Sequence, residues 1–508
     1  MVNRYVLIGI LLAIICINIY SYRSVYLTPY DSIYWQELYD NSQWRIPNSK
    51  RSIGDELLYQ VAGHYIIRNG KIFEINPEVP PLGKYIYGFS IYLINNAYVA
   101  ALIMFIITLF LYKKLGEKFL SADITGQYIA LILFSSDLLI LSQAGQTMLD
   151  LPQLMLLLLH ILFFYKSQEK EKDNYFILLA GITLGLFAAV KIGYTTIIIL
   201  VANCLYLAKN KKIFNIPLLL LSTCIGYLSV YIPFFLQGKT ILEFIKSELW
   251  VLNFYLSSKA IVSSTYGMAV ISLITGFIRG WGNEADWARV KEWSIFWPFY
   301  LFSLFLFTFL YLKSKKIRQE YPKIDYLLIL TIFLLISLMI IPFFARYLVI
   351  IIPFAIIFFI VSIRKIKTPP FVFYVFVILI STIHTLQYLN FIFPSPYEFL
   401  SGVETIWRNS AYRDIYNGLD TTTKQKINRD QFEKIMINGE KKYFSTKDRY
   451  VVIEKKSTKP WQNTTTVRIL LIDSENKRNK LQSELKLKRE LNRWKIDWFS
   501  SAISNHYK

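Results

Sequence analysis

Two adjacent carboxylates, Asp55 and Glu56, precede the stretch INPEVPPLGKYIYG at 75–88, which carries Glu78, Pro80, Pro81, Gly83 and Lys84. Further along, Asp150 stands in QTMLDLPQL, Lys191 in LFAAVKIGY and Arg346 in IPFFARYLVIIIP. A carboxylate of this kind can take a proton from a hydroxyl, a step worth roughly 10²–10⁴-fold in rate. Lysine and arginine can neutralise charge growing on a departing phosphate. Each residue also has an ordinary reading. An acid at a helix start complements the helix dipole, and a cation at the end of an apolar run can snorkel to headgroups. What weakens those readings is that acids and cations gather at one kind of position, the same end of several apolar runs.

The elements that must position them begin with the helix predicted from SIGDELLYQVAGHYIIRNG. Asp55, Glu56, Tyr59, Gly63 and His64 recur at helical spacing, and Arg68-Asn69-Gly70 supplies the stop. Pro80 and Pro81 fix the backbone after it, and Gly83 permits a close approach.

These elements lie among greasy segments. The 508-residue chain is 54% hydrophobic and 17% aromatic. Eleven apolar runs stand out, at 5–20, 100–112, 129–141, 151–165, 175–190, 194–208, 216–236, 295–312, 326–344, 347–363 and 371–389. With flanking residues they reach the roughly 17–25 residues a spanning helix needs. Every second loop is basic: Lys113, Lys114 and Lys118; Lys166, Lys170 and Lys172; Lys209, Lys211 and Lys212; Lys313, Lys315, Lys316 and Arg318; Arg364, Lys365 and Lys367. Basic loops face the cytoplasm. The expected topology is a multi-pass plasma-membrane protein with its N-terminus cytoplasmic. Loop 23–84, Asp150, Lys191, Arg346 and the tail after 390 then face outward. The run at 261–278 would break this alternation as a span, so it reads as a re-entrant or interfacial part of an outer loop at 237–292, rich in Trp250, Trp281 and Trp287.

The net charge of +21 largely reflects the basic loops and the tail and gives no reason to expect nucleic acid as a partner. Cys16, Cys204 and Cys224 all fall in apolar runs, so no disulfide framework or cysteine metal cluster is expected. An acid, a base and cations at a lipid surface suggest group transfer from a phosphate-bearing lipid.

The residues also resemble a family. The acidic pair, the amphipathic stretch ending in Asn-Gly and the motif NPExPPLGKYxxG are similar to the protein O-mannosyltransferase branch of the GT-C glycosyltransferases. The aminoarabinose transferases of lipid A share the general plan. MLDLP around Asp150, GITLGLFAAVKIGY ending at Lys191 and its following residues, and RYLVIIIP resemble later motifs of the family, and the likeness covers roughly residues 1–390. Family members often have His before Pro-Pro, and this chain has Val79.

The resemblance implies a GT-C-like α-helical polytopic fold over residues 1–398. It implies inverting transfer from a polyprenyl-phosphate-linked sugar to a hydroxyl of a protein, glycolipid or glycan. Asp55 would be the general base, with Glu56 as partner or alternative, and Asp150 would orient the base or acceptor. Lys191 and Arg346 would hold the lipid phosphate, with Lys84 nearby and Tyr59 and His64 among the substrate-binding residues. No cofactor is required in the nearest relatives. Other GT-C enzymes use a divalent metal, which Asp55 and Asp150 could hold here.

Residues 399–508 lack apolar runs and read as a small extracytoplasmic α+β domain, two short helices followed by a strand meander ending in WKIDW. This weakly resembles NTF2-like or cystatin-like domains, with acceptor recruitment or capping as its expected role. Leu491-Asn492-Arg493 is the expected hairpin turn, and Asn463-Thr464-Thr465 is a glycosylation sequon by pattern. The rival reading is a transporter or flippase of lipid-linked sugars. It would favour repeats and midplane charges, which the sequence does not display. A membrane sensor would not need so many runs.

Overall fold

The computed structural model describes residues 4–507 apart from 48, 50–52, 121–122, 170–173, 192–193, 258–265, 280–286, 322–323, 341–342, 366–369, 393–395, 409–411, 444–448, 454–463, 474–479 and 491–492. Lys170, Lys172, Lys367, Trp281, Asn463 and the hairpin turn at 491–492 therefore lie outside the described residues. The chain divides into two units, residues 1–39 with 53–385, and residues 40–52 with 386–508.

The first unit is helical. It opens with α1 (Arg4–Leu27), α2 (Ser32–Asp40), α3 (Asp55–Asn69), α4 (Leu82–Ile94), α5 (Tyr98–Phe119) and α6 (Ile124–Ser136). It continues with α7 (Leu138–Gln143), α8 (Asp150–Glu169), α9 (Asn174–Val190), α10 (Tyr194–Lys209) and α11 (Asn215–Ser229). Among the described residues, Tyr5–Leu27 and Tyr98–Phe119 are the two helical segments long and apolar enough to cross a membrane. Six shorter apolar helices accompany them, including α6, α9, α10 and α11.

Several expected runs are interrupted, each for a local reason. The run at 129–141 breaks at Asp137, whose carboxylate accepts from Leu139 N (3.1 Å) and from Trp297 Nε1 (2.8 Å). A short polar side chain that bonds its own backbone competes with helix continuation and caps α7 instead. The run at 216–236 divides into α11 and α12 (Ile232–Leu236), with a proline in the first turn of α12. The run at 347–363 opens with a 3₁₀ turn, Ala345–Ile350. Within 261–278 the described helix, Met268–Thr275, has eight residues. At about 1.5 Å per residue it cannot span a bilayer. A hairpin of β1 (Phe277–Arg279) and β2 (Trp287–Arg289) follows it.

The site-bearing helices are held closely. Helix α3 stops at Gly70, in the left-handed region at φ 72°, where its N–H caps Ile66 O. It crosses α4 with Gly63 against Gly88, and a Cβ on Gly88 would stand 2.3 Å from Gly63 O, so only glycine fits. Asn96 ties this corner to α1 and α5. Its Nδ2 donates to Val25 O, Tyr26 O and Thr28 O, and its Oδ1 accepts from Tyr98 N and Val99 N. One side chain thus satisfies free carbonyls at the end of one helix and free N–H groups at the start of another.

The second unit carries a four-stranded antiparallel meander, β3 (Arg449–Ile453), β4 (Thr464–Asp473), β5 (Lys480–Glu490) and β6 (Arg493–Ile496), in that order. Among the described residues, Pro396–Arg408 comes first, and then three helices stand where two were expected: Tyr412–Asn417, Thr421–Lys426 and Arg429–Lys441. The starts of the last two come from caps. Asp420 accepts from Thr423 N, and Asn428 forms a capping box with Gln431. Buried Trp407, Phe432, Met436, Leu485, Trp494 and Trp498 make the core. The alternating burial of β5 supplies its inner face.

Candidate active site

The site draws on four separated segments of the first unit. Asp55 and Glu56 open α3, Asp150 opens α8, Lys191 follows the last residue of α9, and Arg346 sits in the 3₁₀ turn. Arg346 Nη2 donates to Asp55 Oδ2 at 2.5 Å, and its Nε lies 3.4 Å from Asp150 Oδ2. Lys191 Nζ donates to Asp150 Oδ1 at 2.8 Å. Asp150 is almost wholly buried, with 4% of its side chain exposed, so its charge depends on these two cations.

The arginine Nε makes no hydrogen bond among the described residues, although it is within ion-pair distance of Asp150. Burial disfavours the guanidinium charge, but Asp150, Tyr347, Tyr59 and Asp55 outweigh it and push the Arg346 pKa up. Arg346 is therefore a permanent cation.

Aromatic rings frame the cluster. Lys191 Nζ sits 3.9 Å from the centroid of the Tyr347 ring, and the Arg346 guanidinium lies 4.7 Å from that of Phe344. Tyr59 is buried beside Asp55, Arg346 and Asp150, and burial, followed by Asp55, raises its phenol well above the ordinary value. Glu56 adjoins Asp55, and its backbone carbonyl accepts from Thr147 Oγ1 at 3.0 Å.

Two of the sequence-predicted residues stand elsewhere. Lys84 is fully buried and donates to Asn76 O (2.8 Å) and Val79 O (2.7 Å). It pins the turn before Pro80 instead of joining Lys191 and Arg346. Burial lowers its pKa to about 7, with Glu78 opposing the shift, and burial likewise raises Glu78. His64 lies nine residues after Asp55. At about 3.6 residues per turn that is half a turn around α3, so His64 faces away from the cluster, against Tyr30.

Sequence reasoning passed over Gln60, Thr147 and Tyr347. Gln60 Nε2 donates to Thr147 Oγ1 at 2.9 Å, joining α3 to the turn that leads into Asp150. Gly83 meets that same turn, and a Cβ there would stand 2.2 Å from Leu149 Cδ2. The available signals were adjacency: Tyr347 follows Arg346, and Thr147 precedes Asp150 by three residues. Among the described residues no three or more His, Cys, Asp or Glu side chains converge as a metal-ligand group.

Two carboxylates and two cations from distant segments of the helical unit thus meet in one charged cluster. Residues 78–236 match the family model described as dolichyl-phosphate-mannose-protein mannosyltransferase, which shows the resemblance over that segment, under half of the chain. Solved structures of GT-C glycosyltransferases are also similar. One is ArnT from Cupriavidus metallidurans bound to undecaprenyl phosphate, at 13% identity and TM-score 0.44, covering 62% of this chain and 56% of that one. Another is the Archaeoglobus fulgidus oligosaccharyltransferase AglB in complex with an inhibitory peptide and a dolichol-phosphate, at 13% identity and TM-score 0.44, covering 84% and 60%. The chain thus spans less than two thirds of either structure's length. No curated protein matches the chain in sequence.

Proposed function

We propose that the chain is an integral membrane glycosyltransferase that moves a sugar from a polyprenyl-phosphate carrier to an acceptor hydroxyl on the extracytoplasmic side. The observation that carries this reading is the single guanidinium of Arg346 between Asp55 and Asp150, with Lys191 on the latter. A candidate base and two candidate phosphate partners meet in one cluster. The family match over residues 78–236 supports a lipid-phosphate-linked mannosyl-type donor.

In the proposed step, Asp55 takes the acceptor's hydroxyl proton. The oxygen attacks the anomeric carbon, the bond from that carbon to the phosphate oxygen breaks, and its electron pair leaves with the polyprenyl phosphate. Configuration inverts because displacement is single. Arg346 and Lys191 neutralise the leaving phosphate, and Asp150 holds both cations in place. Because these carboxylates already have organic cations as partners, the reading needs no divalent metal.

The membrane topology belongs to the same proposal: eleven spans, a cytoplasmic N-terminus and an outward C-terminal unit. Exposed aromatic faces support it, such as Phe299, Phe302, Phe305 and Phe309 on the helix Trp297–Lys313. The test is transfer by purified protein in nanodiscs supplied with polyprenyl-phosphate mannose and hydroxyl acceptors. Asp55→Asn is expected to abolish transfer while the protein inserts and melts as before. Full activity in that variant would remove Asp55 from the mechanism.

A further inference from the structure

Behind α3, on the face turned away from Asp55, lies a cavity of about 280 Å³. Tyr30, Ser32, His64, Arg68, Tyr92 and Asn95 line it. His64 and Arg68 are one turn apart on α3 and face the same side. Arg68 is exposed, and no ion pair of it is found among the described residues. Ser32 adds a hydroxyl, and Asn95 closes the wall by accepting from Tyr30 N at 2.7 Å. Of the lining residues, Tyr92 is an exposed aromatic, and Ile33, next to Ser32, and Phe89, Leu93 and Ile94 of the same helix as Tyr92 are exposed apolar side chains as well. Nothing in the transfer mechanism uses this cavity.

We propose that the cavity is a second ligand site, taking the phosphate-bearing headgroup of an outer-leaflet lipid while the acyl chains lie along these exposed apolar side chains. Arg68 supplies the charge, as guanidinium suits phosphate oxygens. The half-buried His64, whose pKa burial and then Arg68 lower, the Ser32 hydroxyl and the tyrosine phenols supply hydrogen bonds. An unpaired cation beside exposed apolar side chains matches an amphiphile with an anionic head, the chemistry by which basic pockets hold lipid headgroups. A free phosphate would satisfy the polar floor and leave those side chains exposed. The proposal rests on the membrane reading above and is independent of the sugar-transfer step.

The experiment is lipid retention by full-length protein released from nanodiscs containing phosphatidylcholine with phosphatidylglycerol, read by native mass spectrometry. Wild type is expected to retain phosphatidylglycerol. Arg68→Gln should lower its retention about five-fold, the factor for one basic residue near an anionic membrane. Lys71→Gln, which removes a neighbouring exposed cation paired with Glu74, should leave retention unchanged. Thermal midpoints check that each variant is folded. Equal retention by folded Arg68→Gln overturns the proposal. So does displacement of the lipid by millimolar inorganic phosphate. Asp55→Asn should keep the retained lipid while losing sugar transfer. Retention without transfer in wild type would thus fault the transferase reading alone, and transfer without Arg68-dependent retention would fault the lipid site alone.

Discussion

Arg346 and Asp55, 291 residues apart in the chain, share a hydrogen bond of 2.5 Å. The same guanidinium reaches toward Asp150, so one side chain couples the start of α3 to the start of α8. The planar fork of arginine makes this dual reach available, and a lysine would offer a single point charge. Arg346→Lys is therefore expected to lower kcat/KM for the lipid-linked donor by roughly 10–100-fold. Arg346→Gln should lower it further. Steady-state kinetics over a donor titration check the order, and equal activity of the lysine variant would show that charge alone suffices.

Thr147 both accepts from Gln60 and donates to Glu56 O. Thr147→Val leaves a buried amide and a carbonyl without these partners, at a cost of about 1–3 kcal/mol. A lower thermal midpoint is expected, together with slower transfer, because the turn into Asp150 loses its tie to α3. An unchanged midpoint would mean that water replaces both bonds.

The α3–α4 crossing tolerates no side chain at residue 88. In Gly88→Ala the new Cβ would meet Gly63 O at 2.3 Å, and both are backbone-defined positions. Overpacking of this kind costs about 1–3 kcal/mol. The expected result is a destabilised protein with reduced activity, measured by thermal unfolding in detergent. A wild-type melting curve would refute the tight crossing.

Lys84 predicts a pH dependence. Its folded pKa is lowered to about 7 from the ordinary 10.5, chiefly by burial. Between those values the unfolded chain holds a proton that the folded chain lacks, so stability rises with pH across that window. From pH 7 to 9.5 the thermal midpoint of wild type is expected to climb relative to Lys84→Met, which has no proton to lose. Parallel curves for the two proteins would exclude a neutral Lys84 in the folded state.

The paired state of Asp55 and Asp150 predicts insensitivity to chelation. Sugar transfer should persist after dialysis against EDTA, measured with and without added Mg²⁺ or Mn²⁺. Loss of activity restored by either ion would replace the arginine–lysine clamp with a metal-assisted step.

Much of the charged cluster was legible because of where its members stand. Asp150, Lys191 and Arg346 interrupt the ends of apolar runs, where an ionised group is costly without a partner. Helix α3 was legible from its spacing and its Asn-Gly stop. Lys84 and His64 were not, because a residue's type and its distance along the chain do not say which way it points. Lys84 turns inward to two carbonyls of its own loop, and His64 falls on the reverse face of a helix that Asp55 merely begins. The breaks at Asp137 and before α12 were likewise hidden, since an apolar run looks the same whether or not one side chain captures its own backbone.

The alternation of apolar and basic segments, the two acidic helix starts and the strand-rich end are readable from residue order, because they follow from local solvation and backbone preference. That Arg346 is the common neighbour of Asp55 and Asp150, and that Lys84 and His64 bond elsewhere, comes from how the helices pack. A pairing across 291 residues depends on how helices cross, and that is fixed by close contacts such as Gly63 on Gly88, which no local pattern encodes.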